Sequence, residues 1–279
     1  MRKSIRILAL VLTTLMLVTS FVGCKNEENN QDPQKQTQTT DDRKTLTVGF
    51  DAEFPPYGFE KDGEYVGFDL DLAAEVCSRR GWELKLQPIA WDSKDAELNS
   101  GAIDCIWNGF TIQGREDLYE WTEPYVNNSQ VIVVKTDSEI NTLADLADKI
   151  VSVQDDSSAQ HALEDVEDSN KTANELNKTL KELSKVPDYN TSFLDLESGS
   201  VDAIAMDIGV AKFQIAERGD SFKILDEVIK EETYGVGFKL GNTELRDQVW
   251  ESLVAMGDDG KFMEIAEKWE LTDSVVLGK

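Results

Sequence analysis

At 279 residues with 40% hydrophobic content, the chain is long enough for two modest domains, each with its own core. Its 54 acidic residues outnumber 28 basic ones for a formal net charge of −26, a field that repels phosphate backbones and anionic lipid and so excludes nucleic acid as a partner. The single histidine, His161, has no companion for a zinc site or a catalytic triad, and no cofactor motif is present.

Met1-Arg2-Lys3 and Arg6 precede an apolar run over residues 7–18, and Gly23-Cys24 follows. A charged start and an apolar stretch too short for a membrane span read as a secretory signal. Residues 1–23 resemble a bacterial lipoprotein signal, which implies a lipid on Cys24 and attachment to the outer face of a membrane. A plain secretory peptide and an uncleaved anchor are the alternatives. Residues 24–45 carry almost no apolar side chain that could be buried and are expected to be a disordered tether with a reach of roughly 25 Å.

Residues 46–50 read as a first strand, and Asp51, Glu53 and Phe54 stand just beyond its C-terminal end. Asp69 is placed to cap a helix whose apolar face holds Leu72, Val76 and Cys77 and which Gly81 can close. Residues 82–89 form the next strand, followed by Trp91 and by a helix that Asp92 can cap. A strand over 103–107 then leads into Asn108-Gly109-Phe110-Thr111-Ile112-Gln113-Gly114-Arg115. Strand and helix alternate with short turns, so a parallel sheet with right-handed crossovers is expected. Residues 130–135 are β-branched and extended, and would carry the chain into a second body that repeats the plan. There, residues 143–147 form a short helix, 150–154 a strand ending at Gln154, and Asp155-Asp156-Ser157-Ser158 opens a helix through His161. Residues 170–186 read as a solvated polar helix, 202–206 as a strand before Asp207, and 208–217 as a helix. A second extended run over 233–240 would return the chain to the first body, where helices over 243–256 and 261–269 should pack. Cys77 and Cys105 read as two buried thiols, with a disulfide as the alternative.

The loop after Trp107 offers a hydroxyl, a glycine backbone and a guanidinium together, a set that suits a carboxylate. Its lead-in occurs twice: residues 97–109 and 195–207 both follow L-x-S-G-x-(I or V)-D-x-I, with Asp207 in the second copy where Gly109 stands in the first. Ligands of open α/β sheets bind outside the carboxyl ends of strands. The duplication therefore sets Arg115 on one side of a cleft and Asp207 on the other, the two charges needed to hold an amino acid.

The motifs FPPYGF (54–59), GFDLDLA (67–73), NGFTIQGR (108–115), EPY (123–125), DLESGSVDAIAMD (195–207) and GKFMEIAEKW (260–269) occur in the order and spacing of a known family. Over residues 46–271 the chain resembles the extracytoplasmic solute-binding proteins of ABC importers for polar amino acids. That resemblance implies a two-lobed type II periplasmic-binding-protein fold, with lobe 1 at 46–130 and 236–279, lobe 2 at 131–235, and hinge strands near 131–135 and 233–239. It implies that Arg115 grips the ligand's carboxylate, Asp207 its ammonium, and Gly109 and Thr111 the rest of its backbone. Asp51, Phe54, Trp91, Asn108 and Phe110 would complete the first lobe's wall, and Gln154, Ser157 and Ser158 would close from the second. The family's T-x-T-x-x-R is one residue shorter here, with Gln113 for the second Thr, and its G-T-(T or S) is Asp156-Ser157-Ser158, with Asp156 expected to point away. Asp51, Glu53, Trp91 and Asn108 suit a basic, amide or cystine-like side chain better than an acidic one. The implied partner is a membrane permease, and a monomer without cofactor is expected. The alternatives are an enzyme on the same fold, such as a cyclohexadienyl dehydratase with Glu53 as general acid, or a ligand-sensing module.

Overall fold

The computed structural model describes residues 45–164 and 171–279. The leader, the tether and Cys24 lie outside the described residues. In chain order the elements are β1 (Thr45–Phe50), β2 (Glu53–Phe54), β3 (Gly58–Lys61), β4 (Glu64–Val66), α1 (Phe68–Arg80), β5 (Glu83–Pro88), α2 (Lys94–Ser100), β6 (Cys105–Ile106), β7 (Glu120–Trp121) and β8 (Val126–Lys135). There follow β9 (Ile150–Gln154), α3 (Ser158–Glu164), α4 (Lys171–Thr179), β10 (Glu182–Val186), α5 (Tyr189–Ser198), β11 (Ala203–Asp207), α6 (Ile208–Arg218), β12 (Phe222–Tyr234), β13 (Gly237–Phe238), α7 (Thr243–Asp258) and α8 (Lys261–Lys268).

Two five-stranded sheets share one plan. The first has the order β5-β1-β6-β13-β7 and the second β10-β9-β11-β8-β12. In each, the first three strands are parallel and the last two are antiparallel to their neighbours. The repeated sequence segment explains part of this likeness. α2 and α5 both stop at a glycine with left-handed φ, 81° at Gly101 and 79° at Gly199, a conformation that costs glycine little. The aspartate that follows, Asp104 or Asp202, then accepts the backbone N–H of Thr47 or Ile150 at 2.8 Å. Each copy thereby ties its new strand to the start of its neighbour, β1 or β9, and aims both strand ends the same way.

The core follows the apolar spacing. Leu46, Val48 and Phe50 of β1 pack with Leu72, Val76 and Cys77 of α1, and with Leu245, Val249, Leu253, Phe262 and Ile265 of the last two helices, all buried. Burial of each such large side chain stabilises the fold by about 1.5–3 kcal/mol. Cys77 and Cys105 are both buried thiols, not joined in a disulfide. Among the described residues no helix is long and apolar enough to cross a membrane. The chain passes from one sheet to the other at 122–125 and again at 235–236, and the passages lie side by side, with Tyr125 N–H donating to the Tyr234 carbonyl at 3.0 Å.

Several local expectations change. Residues 182–186 are not helical but form β10 beside β9; at a sheet edge the main chain is paired on one side while Glu182 and Lys185 stay in water. β8 begins at Val126, which pairs with Tyr234, so residues 126–130 lie in the second sheet. The run 233–240 is divided, its first two residues ending β12 and residues 237–238 forming β13 in the first sheet. Asp92 makes no cap, since Trp91–Ser93 is a 3-10 turn.

Asp69 does not cap α1 either; Gly67 holds that position. It is fully buried in the first turn, two residues past the cap, where Oδ2 accepts the Gly109 N–H at 2.6 Å and Oδ1 the Tyr125 hydroxyl at 2.9 Å. Burial pushes this carboxyl up to about 7, against the lowering pull of those two bonds. Asp69→Ala leaves two buried donors unpaired and is expected to cost roughly 3 kcal/mol in urea unfolding. Asp69→Asn keeps both contacts but cannot ionise. A carboxyl raised in the folded state stabilises below its unfolded pKa and loses that contribution as pH rises through the folded value. Wild type should therefore lose stability relative to Asp69→Asn between about pH 4 and pH 7; a constant difference across that range contradicts the burial.

Candidate functional site

The site begins where β6 ends. The Trp107 N–H donates to the Gly49 carbonyl, and the chain then turns at Gly109, whose φ is +56°. A Cβ there would stand 2.8 Å from the Phe54 ring, so only glycine lets the loop settle on Phe54, Tyr57 and Tyr234. Thr111 bridges to Tyr234, and Gln113 donates to the Thr233 hydroxyl (2.9 Å) and accepts the Thr233 N–H (2.7 Å). The glutamine that departs from the family's motif thus fastens the loop to the end of β12.

Arg115 is buried, its guanidinium 5.2 Å from the Phe110 ring centroid, donating to the Thr111 carbonyl at 3.4 Å and the Asp156 carbonyl at 3.1 Å. Phe110 is wholly buried, in edge contact with Trp91 and Tyr119 and tilted against Trp121. It does not line the cavity described below, where the resemblance had implied a ligand contact; it supports Arg115 from behind, a cation–π arrangement worth about 0.5–2 kcal/mol.

The second wall comes from β9 and the turn after it. Gln154 donates from Nε2 to Asp51 (2.6 Å) and to the Pro187 carbonyl (3.1 Å). Asp51 also accepts the Glu53 N–H, and its own N–H goes to Asn108 Oδ1 at 3.0 Å. Burial raises the Asp51 carboxyl to about 6 despite the bonds from Glu53 and Gln154. Asp156 has φ +59°, a left-handed value, and its carboxylate turns out of the cavity to meet Lys94 and, at 2.8 Å, His161 Nε2. Burial would raise that carboxyl, but the bonds from His161 and Lys94 overcome it and hold it well below the usual carboxylate range. Lys94 is buried, and its pKa is lowered by desolvation and then by Arg115, with Asp156 opposing both. The Asp156 carbonyl accepts from Trp91 Nε1 at 3.2 Å as well as from Arg115, so three side chains of the first half hold one residue of the second.

Asp207 closes β11 and is buried. Its Oδ1 accepts from the Tyr234 hydroxyl (2.6 Å) and from the amides of Asn128 and Gln130 (2.8 Å each). Beside it lies Glu232, equally buried, which takes the Thr111 hydroxyl and the same two amides at 2.7 Å each on Oε1, and the Ser158 hydroxyl on Oε2. Burial pushes Asp207 up to about 7; the Glu232 charge adds to the rise, and the bonds from Tyr234, Gln130 and Asn128 oppose it. Glu232, Asn128, Gln130 and Tyr234 escape a reading of the sequence. On a strand, polar residues two apart share a face, but the pattern is the same whether that face meets water or a cavity.

Phe54, Trp91, Asn108, Gly109, Thr111, Arg115, Gln154, Ser157, Ser158 and Asp207 line one inner cavity. Its volume is about 10 Å³, and roughly 10–15 Å³ on this measure holds one water. Asp51 is separated from it by Gln154 and lines an outer cavity of about 490 Å³, together with Glu53, Trp91, Asp92, Asp155, Lys185 and Asp188. Ten of the twelve residues singled out in the sequence are thus brought together, with Asp51 one step outside and Phe110 behind. A guanidinium at one wall and the Asp207 carboxylate at the other suit a small molecule that carries both signs of charge. Among the described residues no cluster of His, Cys, Asp and Glu could hold a metal ion.

The chain as a whole is similar to proteins already known. The L-cystine-binding protein TcyJ of Escherichia coli is 29% identical over 232 residues, which cover 82% of this chain and 83% of that protein. An ABC uptake transporter substrate-binding protein from Streptococcus pneumoniae, solved with bound histidine, superposes with a TM-score of 0.75 at 33% identity, covering 81% of this chain and 92% of the other. An ancestral arginine-binding protein bound to arginine gives 0.73 at 33% identity, with 81% and 98% covered. Residues 46–272 match the profile of one family, so the chain belongs to the bacterial extracellular solute-binding proteins, family 3.

Proposed function

We propose that this protein is the substrate-binding component of an ABC importer, and that it captures a polar L-amino acid between its two halves and delivers it to a membrane permease. The observation that carries this reading is the presence of Arg115 and Asp207 in the wall of one buried cavity, Arg115 from the loop after β6 and Asp207 from the end of the corresponding strand β11. Arg115 takes the carboxylate with help from Ser157, and Asp207 takes the ammonium. Charge-assisted hydrogen bonds of about 1.5–3 kcal/mol each bring a micromolar complex, about 8 kcal/mol, within reach of a few contacts after ordering costs.

The inner cavity is too small to admit an amino acid unless its walls separate, and the adjacent passages at 122–125 and 235–236 are where backbone torsions absorb that opening. Contacts shared between the halves favour the closed state, because only closure makes both sets. The outer cavity carries Asp51, Glu53, Asp92, Asp155 and Asp188 against Lys185 alone. This balance favours a basic, amide or cystine-like side chain over an acidic one, in keeping with the cystine, histidine and arginine named for the relatives. The chain acts by binding and not by turnover. A lipid on Cys24 holds it at the outer face of the membrane.

In a thermal-shift screen of the common amino acids with cystine, at least one polar amino acid should raise Tm. The largest shift from an acidic ligand would overturn the side-chain reading, and no shift from any amino acid would overturn capture. Arg115→Ala and, separately, Asp207→Ala should each lower calorimetric affinity about a hundredfold, since each strands a buried ligand charge; near-normal binding in both variants refutes the clamp. Cys24→Ser should move the protein from the membrane fraction to the medium in its native host.

A further inference from the structure

Asp156 stands where the family's motif has a glycine, and it joins the two halves without lining the inner cavity. It lies in the turn between β9 and α3, and its own half holds it twice. The N–H donates to Gln160 Oε1 at 2.7 Å, and Oδ1 meets His161 Nε2 at 2.8 Å. Its other acceptors face the first half: the carbonyl takes Trp91 Nε1 at 3.2 Å and Arg115 at 3.1 Å, and Oδ2 takes the Lys94 ammonium. Lys94 opens α2 with 1% of its side chain exposed and lies 5.2 Å from the Trp91 ring centroid. A buried ammonium needs a counter-charge, and Arg115 close by adds to that need, while the other nearby acid, Asp95, takes the Tyr119 hydroxyl. Asp156 therefore supplies the charge from across the boundary between the sheets. Separation of the halves breaks this pair and both carbonyl bonds together, and hydration of Lys94 repays only part of the loss.

We propose that Asp156 is a closure latch: its carboxylate on Lys94 and its carbonyl on Trp91 and Arg115 slow the opening of the closed complex, and with it the release of the ligand, without touching the ligand. Asp156 is thereby also a positioning residue for Arg115, whose guanidinium it steadies from outside the cavity. The inference rests on the amino-acid reading above, and it concerns how long the ligand is held, not which group recognises it. Two other side-chain bonds cross the cleft, Gln154 to Asp51 at 2.6 Å and Asn190 to Glu53. These involve a neutral amide and do not depend on Lys94, so loss of the latch shortens the life of the closed state and does not abolish it.

Asp156→Asn removes the charge and keeps the turn, because asparagine tolerates a left-handed φ and the backbone carbonyl is unchanged. The full chain is loaded with the amino acid that the thermal screen selects, in radiolabelled form, and chased with an unlabelled excess to give the release rate; calorimetric affinity then gives the association rate. Asp156→Asn should release about tenfold faster than wild type, the worth of one charge-assisted bond at a partly solvated acid, and should associate no more slowly. Lys94→Met, which keeps the apolar stem, should also speed release and serves alone if Asp156→Asn does not fold. In the double variant the stranded ammonium is gone, so release should be slower than from Asp156→Asn. Release from both single variants at the wild-type rate overturns the latch and leaves amino-acid capture standing. Accelerations that multiply in the double variant overturn it too, since the two residues then act independently, as does slower association of Asp156→Asn with unchanged release, which assigns Asp156 to the shape of the turn. Failure of wild type to bind any amino acid removes both readings.

Discussion

Two carboxylates lie out of water at the meeting point of β8, β11, β12 and the loop after β6, with amides and hydroxyls as partners where a cation would be expected. Much of the local architecture serves to tolerate that charge. Asn128 and Gln130 lie two apart on β8 and turn both amide groups inward; each nitrogen has two N–H groups, one for each acid. Tyr234 ends β12 with its hydroxyl on Asp207, and Thr111 reaches Glu232 from the other sheet's loop. These donors soften the cost of burial without supplying a countercharge, so a cation beside Asp207 gains more than it would at a solvated carboxylate.

The opposing charge arrives by duplication. The same helix, glycine turn, aspartate tie and strand occur in both sheets and bring two strand ends to one cavity with different residues at the tip. At the first tip a glycine with left-handed φ allows aromatic rings to crowd in and the loop to fold Arg115 back over Phe110. At the second an aspartate takes its place. The halves are joined across the cavity by Asp156, whose carbonyl receives Arg115 and Trp91 while its carboxylate receives Lys94. A residue in this backbone conformation is usually glycine; here an acid occupies it, and the side chain that glycine lacks is paired with a buried lysine.

A good part of this was legible in the sequence. The alternation of strands and amphipathic helices fixes the fold class, because period-2 and period-3.6 patterns must each bury one face. The doubled L-x-S-G-x-(I or V)-D-x-I segment announces two similar bodies and marks Gly109 and Asp207 as equivalent tips. Arg115 just beyond the first copy and Asp207 at the end of the second point to a clamp for a small zwitterion, and ten of the twelve residues named from the sequence and from the family resemblance line one cavity. Local signals suffice there because the turn, the strand end and the reactive side chain are all within a few residues of one another.

The remainder depended on contacts between distant parts of the chain. Asp69 looks like a helix cap until α1 is docked and its carboxylate is found under Gly109, 40 residues away. Residues 182–186 carry a polar, helix-compatible pattern, yet β9 offers a free edge and the backbone pairs with it. Phe110 sits in the right loop but turns into the core, and Glu232 sits on an ordinary-looking polar strand but turns inward onto the hydroxyls of Thr111 and Ser158. Sequence determined which residues could bear charge at the strand tips, through periodicity and a repeated turn. Only the packing of one sheet's loops on the other's decided which of those charges lost their water, and it is loss of water that makes a carboxylate a binding group.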